Sequence, residues 1–152
     1  MRRKIVIFSR EKTEELIKNH FPDNTAVISF YDPKNTNKLP GYKPVDYSSV
    51  CKNVFYVCIR DTEPAFLENY NLSLETYFPE AMQVAKFVIA AKKQDMNIIC
   101  QCEHGISRSA ACAAAIMEFF DKTGIDIFAD YRYYPNKMIY HKLLDALKCV
   151  AD

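Results

Sequence analysis

The chain has 152 residues, of which 49% are hydrophobic and 26% are charged, with three glycines and seven prolines. This composition excludes a collagen-like, low-complexity or disordered chain, and the length predicts one domain over residues 1–152 with its own hydrophobic core. Twenty basic against 19 acidic side chains give a net charge of +1, which is no basis for a nucleic-acid or membrane partner.

The first apolar run, residues 5–8, is too short for a secretory signal, and no apolar stretch reaches the length of a membrane span. The sequence therefore predicts a cytoplasmic protein. In that compartment the six cysteines are expected to be thiols and not disulfides.

The N-terminal third of the chain predicts two strands separated by a helix. Residues 4–8 and 26–31 have the β-branched and aromatic composition of short strands. Between them, Ser9 is placed to cap an amphipathic helix. Residues 34–49 lack periodicity and predict a long surface loop.

The same alternation continues to the end of the chain. Residues 54–59 are an unbroken apolar run, which predicts a strand covered on both faces. An amphipathic helix is expected over about residues 73–93, followed by a buried strand at residues 97–101. An alanine-rich helix follows Ser109, and a closing helix covers about residues 136–150. This order predicts an α/β domain with a mostly parallel central sheet and helices on both faces.

One segment combines a thiol and a guanidinium between a strand and a helix. Residues 100–109 read Cys-Gln-Cys-Glu-His-Gly-Ile-Ser-Arg-Ser. A short loop before a helix N-terminus can turn its amides inward and form a nest for a tetrahedral oxyanion. Gly105 permits the tight backbone, and the planar fork of Arg108 can hold two anion oxygens. The expected phosphate-binding residues are Glu103, His104, Gly105, Ile106, Ser107 and Arg108.

Cys102 lies at the base of this nest and is predicted to be a nucleophile. The helix N-terminus and Arg108 would hold it as a thiolate at neutral pH. It would attack phosphorus in line and form a phosphocysteine, while the amides and Arg108 hold the remaining oxygens. The Ser109 hydroxyl is placed to assist departure of the sulfur. Because the protein supplies both the attacking atom and the charge stabilisation, no metal or organic cofactor is expected.

The pattern C-x5-R-S with a central glycine resembles the phosphate loop of the cysteine-dependent protein tyrosine phosphatases, in particular the dual-specificity-like branch. The layout of residues 54–120 is similar to that branch, and Tyr134-Pro135-Asn136 resembles the turn before its last helix. The resemblance implies a fold of the dual-specificity phosphatase type. It also implies hydrolysis of phosphotyrosine monoesters, with phosphoserine and phosphothreonine as further candidate substrates.

The resemblance further implies an aspartic acid, located after the strand at residues 54–59, that protonates the leaving oxygen. Asp61 occupies that place, but the interval from Asp61 to Cys102 is longer than is usual in the family. Glu63 and Glu68 are therefore alternatives for the general acid.

One further position departs from the family pattern. Gln101 stands where a histidine usually steadies the loop. Glu103 and His104 stand where inositide phosphatases of this superfamily carry lysines, which argues against a highly charged inositide substrate.

Gln101 and the long interval between Asp61 and Cys102 leave open a second function, a phosphoprotein-binding module without turnover. Sulfur transfer of the rhodanese kind is a third candidate, disfavoured by the Arg108-Ser109 pair at the start of the helix. Expected partners are phosphorylated proteins or small phosphomonoesters, together with phosphate, sulfate and vanadate anions; the sequence does not indicate the oligomeric state.

Overall fold

The computed structural model describes residues 4–34, 36 and 39–151. The predicted loop at 34–49 includes Asn35, Asn37 and Lys38, which lie outside the described residues. A four-stranded sheet forms the centre of the described chain, and every strand pair in it is parallel. Its strands are β1 (Ile5–Phe8), β2 (Thr25–Tyr31), β3 (Val54–Cys58) and β4 (Asn97–Gln101), in the spatial order β1-β4-β2-β3.

The helices of the described chain are α1 (Arg10–Asn19), α2 (Ala81–Lys93), α3 (Arg108–Asp121), α4 (Ile125–Phe128) and α5 (Lys137–Ala151), with a 3-10 helix at Pro64–Tyr70. Helix α1 lies between β1 and β2, and α2 lies between β3 and β4, whereas α3, α4 and α5 follow the last strand. Ser9 caps α1 as predicted, because its Oγ accepts a hydrogen bond from the Lys12 amide at 3.1 Å. Within the described part of the chain, no helix is long and apolar enough to cross a membrane.

The two faces of the sheet are covered by different elements. Helices α2, α3 and α5 pack on one face, where Val88, Ile116 and Leu143 have no exposed surface. Helix α1 and the segment after β2 cover the other face, around Phe21 and Tyr47. Full burial of one such side chain stabilises the fold by about 1.5–3 kcal/mol. The predicted α/β architecture with a mostly parallel, doubly covered sheet is confirmed.

The alanine-rich helix packs closely, as its composition predicts. All residues from Arg108 to Ile116 are buried in α3. Small side chains let its backbone approach the neighbouring elements, so the helix that follows the Cys102 segment is fixed against α5 and the sheet.

Strand β3 corrects one expectation, since it lies at the sheet edge and is not covered on both faces. Among the described strands it pairs with β2 alone, and its Tyr56 and Cys58 are exposed while Val57 is buried. An unbroken apolar run does not distinguish an edge strand from a central one when the run contains residues, such as tyrosine, that tolerate exposure.

The helix predicted from Ser73 begins only at Ala81, which is a second correction. The Ser73 amide donates to Thr76 Oγ1 at 2.8 Å, and the Thr76 amide donates to Ser73 Oγ at 3.2 Å. These bonds make a local turn that competes with a helix. Phe78 then has φ 59°, and a residue before proline, here Pro79, is disfavoured in the right-handed helical region.

The segment between β2 and β3 also differs from a plain surface loop. Val45 and Tyr47 are 2% and 1% exposed and belong to the core on the α1 face. The sequence of residues 34–49 does not predict this burial, because two isolated buried residues do not make a repeating apolar pattern.

Candidate active site

The phosphate loop, defined here as residues 102–108, lies at the carboxyl end of the parallel sheet. It begins directly after β4 and ends at the start of α3. Gly105 has φ 67°, and a Cβ added there would lie 2.7 Å from the Ser9 backbone nitrogen. Both the backbone conformation and the close approach to the β1–α1 junction therefore require glycine at this position.

The orientation of the loop backbone leaves its amides available. Amides of neighbouring segments bind the carbonyl groups of Glu103, Ile106 and Ser107 from outside. The donors are Arg10, Tyr134 and Asn136, at 3.1, 3.0 and 3.2 Å respectively. In a trans peptide the N–H opposes the C=O, so the N–H groups that follow these carbonyls point inward. No described residue accepts a hydrogen bond from the amides of residues 103–107, which is the arrangement of an oxyanion nest.

The Cys102 thiol lies at the base of the loop. Cys102 is 3% exposed, and its Sγ is 3.0 Å from the Oγ of Ser109, which is fully buried at the first turn of α3. The structure thus brings together the predicted nucleophile and the hydroxyl predicted to assist it. A hydroxyl at this distance can donate a hydrogen bond to a thiolate and stabilise its charge.

The Arg108 guanidinium is held at one end. Its Nη1 donates to Asp32 Oδ1 at 2.7 Å and to the Ile59 carbonyl at 2.8 Å. Its Nε is buried and has no partner among the described residues. A buried donor without an acceptor costs about 1–3 kcal/mol, so an oxyanion at Nε would satisfy a group that the protein leaves open.

Arg108 keeps its positive charge in this site. Burial, the largest influence, disfavours the charged guanidinium, but the negative charges of Cys102 and Asp32 outweigh it and raise the pKa of Arg108. Arg108 is therefore cationic at neutral pH.

Asp32 is a site residue that the sequence did not indicate. The Asp32-Pro33 pair predicts only the turn that ends β2. The carboxyl ends of parallel strands meet at one edge of the sheet, and β2 lies beside β4. That neighbour relation places Asp32 next to Arg108, but it depends on the strand order, which the sequence does not give.

Among the three candidate acids, Asp61 is the one that hydrogen bonds to the phosphate loop. Its Oδ1 accepts from Ser107 Oγ at 2.9 Å and from Asn136 Nδ2 at 3.0 Å, and its Oδ2 has no hydrogen bond with the described residues. Glu63 and Glu68 are exposed and lie at the start and within the 3-10 helix. That helix lies between Asp61 and α2, and Asp61 itself stays next to the loop.

Asn136 ties the turn at Asp61 to the last helix. Besides Asp61, its Nδ2 donates to the Thr62 carbonyl at 3.2 Å and to Tyr77 Oη at 3.0 Å. Its Oδ1 caps α5 by accepting from the Ile139 amide at 3.0 Å. The tyrosine–proline–asparagine segment that resembles a family turn thus supports both the phosphate loop and the candidate acid.

Gln101 forms a buried polar network in place of the usual histidine. Its Oε1 accepts from Ser29 Oγ at 2.5 Å and from Tyr47 Oη at 2.7 Å. All three side chains are at most 1% exposed. Gln101 therefore fixes the end of β4, directly before Cys102, through the face of the sheet covered by α1.

Glu103 and His104 follow Cys102 in the phosphate loop, and their side chains have different surroundings. The Glu103 side chain bonds to Arg10 and Tyr42, whereas His104 is exposed and has no side-chain hydrogen bond to a residue that the structure describes. Among the residues that the structure describes, no three His, Cys, Asp or Glu side chains cluster in a way that could hold a metal ion.

A cleft of about 740 Å³ opens beside the phosphate loop. Its lining includes Asp61, Glu63, Ile106, Ser107 and Tyr134. Tyr134 is 72% exposed. The cleft can accommodate the organic group to which an anion in the loop is attached.

The fold is similar to solved phosphatase structures. No protein-family model matches the sequence, and a search of curated proteins finds no match. The human tyrosine phosphatase-like serine/threonine/tyrosine-interacting protein gives a TM-score of 0.59 at 20% identity, covering 97% of this chain and 93% of that one. Cydia pomonella PTP-2 phosphatase gives 0.58 at 9% identity, covering 93% and 84%. Human DUSP28 gives 0.53 at 15% identity, covering 97% and 90%. The predicted phosphatase-type fold is confirmed.

Proposed function

We propose that this chain, which has the fold of dual-specificity and related cysteine-dependent phosphatases, hydrolyses phosphotyrosine monoesters through a phosphocysteine. The observation that carries the proposal is the joint placement of Cys102, Arg108 and Ser109. The thiol lies under a loop with free amides, the guanidinium keeps a buried Nε open, and the hydroxyl is 3.0 Å from the sulfur.

In the first step the Cys102 thiolate attacks phosphorus with its electron pair. The bond between phosphorus and the leaving oxygen breaks, and Asp61 donates a proton from Oδ2 to that oxygen. The loop amides and Arg108 Nε hold the other three oxygens, whose charge changes in the transition state. The products are the dephosphorylated hydroxyl compound and a phosphocysteine.

In the second step a water molecule attacks phosphorus. The phosphorus–sulfur bond breaks and its electron pair returns to Cys102, while Asp61, now a carboxylate, accepts a proton from the water. Ser109 donates a hydrogen bond to the departing sulfur and stabilises the thiolate. Inorganic phosphate and the starting enzyme result.

The proposed substrates are phosphorylated proteins. The cleft beside the loop offers room for the chain on either side of a phosphorylated residue. Phosphotyrosine is the first candidate, with phosphoserine and phosphothreonine as further candidates, and phosphate, sulfate and vanadate are expected to bind the loop as free anions.

A second candidate function is recognition of phosphoproteins without turnover. The observation that favours it is the pair of donors, from Ser107 and Asn136, on Asp61 Oδ1. These contacts give Asp61 a structural role in joining the phosphate loop to the segment before α5, and that role needs no proton transfer to a leaving group.

Hydrolysis of p-nitrophenyl phosphate and of a phosphotyrosine peptide distinguishes the two functions. We expect turnover by the wild type, no turnover by Cys102→Ser, and retained peptide binding by that variant. Peptide binding by the wild type with no phosphate release, in either assay and at any pH from 5 to 8, would contradict hydrolysis and support the binding module.

A further inference from the structure

The position after the nucleophile carries a negative charge. Glu103 lies inside the loop that is proposed to receive a phosphate dianion, and an unpaired carboxylate there would repel the ligand. The Glu103 side chain is 12% exposed, so water does not screen it fully. A protein that binds an oxyanion in this loop needs a way to neutralise Glu103.

Arg10 and Tyr42 meet that need. Glu103 Oε1 accepts a hydrogen bond from Arg10 Nη1 at 3.0 Å and one from Tyr42 Oη at 2.8 Å. The Arg10 amide also donates to the Glu103 carbonyl at 3.1 Å. Arg10 thus holds both the side chain and the backbone of Glu103, at the start of α1.

The same contacts reach the other half of the site. The Tyr42 hydroxyl accepts from the Asp32 amide at 2.9 Å, and the Asp32 carboxylate holds Arg108. Burial, chiefly, and the contact with Glu103 raise the pKa of Tyr42 to about 12, so its hydroxyl keeps the proton that it donates.

A further contact fixes Arg10 itself. Its Nη2 donates to the Lys43 carbonyl at 2.6 Å, and its guanidinium carbon lies 5.4 Å from the centre of the Tyr42 ring. The chain around residues 42–43 therefore covers the Arg10–Glu103 pair and holds it in one geometry.

We propose that Arg10 and Tyr42 are positioning residues that neutralise the Glu103 carboxylate and hold it away from the oxyanion nest, so that the phosphate loop attracts dianions. The inference rests on the anion-binding part of the proposed function. It predicts that Arg10 matters only because Glu103 is charged.

The test is the affinity for tungstate, an oxyanion that the protein does not turn over, measured by isothermal titration calorimetry. Arg10→Met should raise the Kd about tenfold, the size expected for loss of a hydrogen bond to a charged group. Glu103→Gln alone should change the Kd less than about threefold. The double variant should return to within about threefold of the wild type, because the charge that Arg10 neutralises is gone.

Two matched controls separate positioning from general charge and from loop stability. Lys12→Met removes a positive charge from the same helix with no contact to Glu103 and should leave the Kd unchanged. Tyr42→Phe should weaken tungstate binding, whereas Tyr56→Phe should not. The Tyr56 hydroxyl bonds to the same chain segment, at the Val45 carbonyl 2.8 Å away, but it does not contact Glu103. Melting temperatures verify that each variant is folded.

If Arg10→Met weakens tungstate binding equally in the wild-type and Glu103→Gln backgrounds, the inference is overturned, since Arg10 would then act through its own charge. Equal effects of Tyr42→Phe and Tyr56→Phe on tungstate binding would also overturn it. A wild type that binds tungstate but hydrolyses no phosphate ester would refute the proposed hydrolysis and leave this test intact, whereas a wild type that binds no tungstate would refute both.

Discussion

Arg108 and Asp32 form a nearly buried ion pair, with Nη1 and Oδ1 2.7 Å apart and side chains 6% and 14% exposed. The pair fixes the rotation of the guanidinium, since the remaining bond of Nη1 goes to the Ile59 carbonyl. Nε is thereby left for a ligand. The Arg108 side chain is thus oriented by Asp32, which directly follows the neighbouring strand β2, and not by its own loop.

Replacement of Asp32 should therefore impair catalysis and stability together. Asp32→Ala leaves Arg108 buried without its partner, and we expect a loss of about 3 kcal/mol in the free energy of unfolding. We expect kcat/KM to fall about 100-fold, because the guanidinium loses its orientation. Asp23→Ala, at the exposed approach to the same strand, is the control and should change neither quantity. Steady-state kinetics and urea unfolding measure both, and unchanged kinetics in Asp32→Ala would contradict this role.

Gly105 offers a test of the loop geometry with an internal comparison. Gly105→Ala should abolish tungstate binding, because the new Cβ meets the Ser9 backbone nitrogen at 2.7 Å and the loop must shift. Gly41 has a similar φ of 70°, but a Cβ added there would have no atom within 4 Å, so Gly41→Ala introduces only backbone strain, of about 1–3 kcal/mol. Retained anion affinity in Gly105→Ala would show that the close approach is not needed for binding.

The site residues that the sequence predicts lie close together along the chain, whereas those that it does not predict lie far from them. Cys102, Arg108 and Ser109 lie in one short segment, so their spacing alone predicts one loop. Asp32 and Tyr42 join the site only through the strand order and through a chain segment without periodicity. No local pattern contains that information, whereas the alternation of strands and helices does predict the layered fold.

Local competition explains the misplaced start of α2. The apolar spacing from Leu74 onward satisfies a helical pattern, yet hydrogen bonds between Ser73 and Thr76 and the proline at position 79 favour a turn. Tyr77 is nonetheless buried, and its hydroxyl donates to the Arg60 carbonyl at 2.6 Å. The apolar pattern correctly predicted burial there and incorrectly predicted the backbone.

The pH dependence of stability should report on Tyr77. Burial, chiefly, raises the pKa of Tyr77 from 10.0 to about 12. Since the unfolded chain ionises first, the contribution of Tyr77 is complete below pH 10 and is lost as the pH rises to 12, by about 2 kcal/mol. In urea unfolding at pH 9, 10 and 11, the free energy of unfolding should decrease less for Tyr77→Phe than for the wild type. For Tyr131→Phe, at a position 98% exposed, it should decrease as much as for the wild type. If the decrease for Tyr77→Phe equals that of the wild type, the assignment to Tyr77 is contradicted.

Asp61 should control the basic side of the pH profile. Asp61→Ala removes the proposed proton donor, so kcat for a phosphotyrosine peptide should fall about 100-fold and should no longer decrease at high pH. For an aryl phosphate with a better leaving group, kcat of Asp61→Ala should fall less. Glu63→Gln, on the wall of the same cleft, is the control and should keep the wild-type profile. If Glu63→Gln flattens the basic limb and Asp61→Ala does not, Glu63 is the acid.

Ser109 should act in the second step. Ser109→Ala removes the hydroxyl that lies 3.0 Å from the Cys102 sulfur, so the thiolate is a poorer leaving group when water attacks the phosphocysteine. We expect kcat to fall about tenfold, KM to fall with it, and a burst of p-nitrophenol equal to the enzyme concentration. Rapid-quench measurement of phosphoenzyme checks this directly. Ser107→Ala removes a loop hydroxyl that donates to Asp61 instead, and it should give no burst. A lower kcat without phosphoenzyme accumulation in Ser109→Ala would place the hydroxyl in the first step.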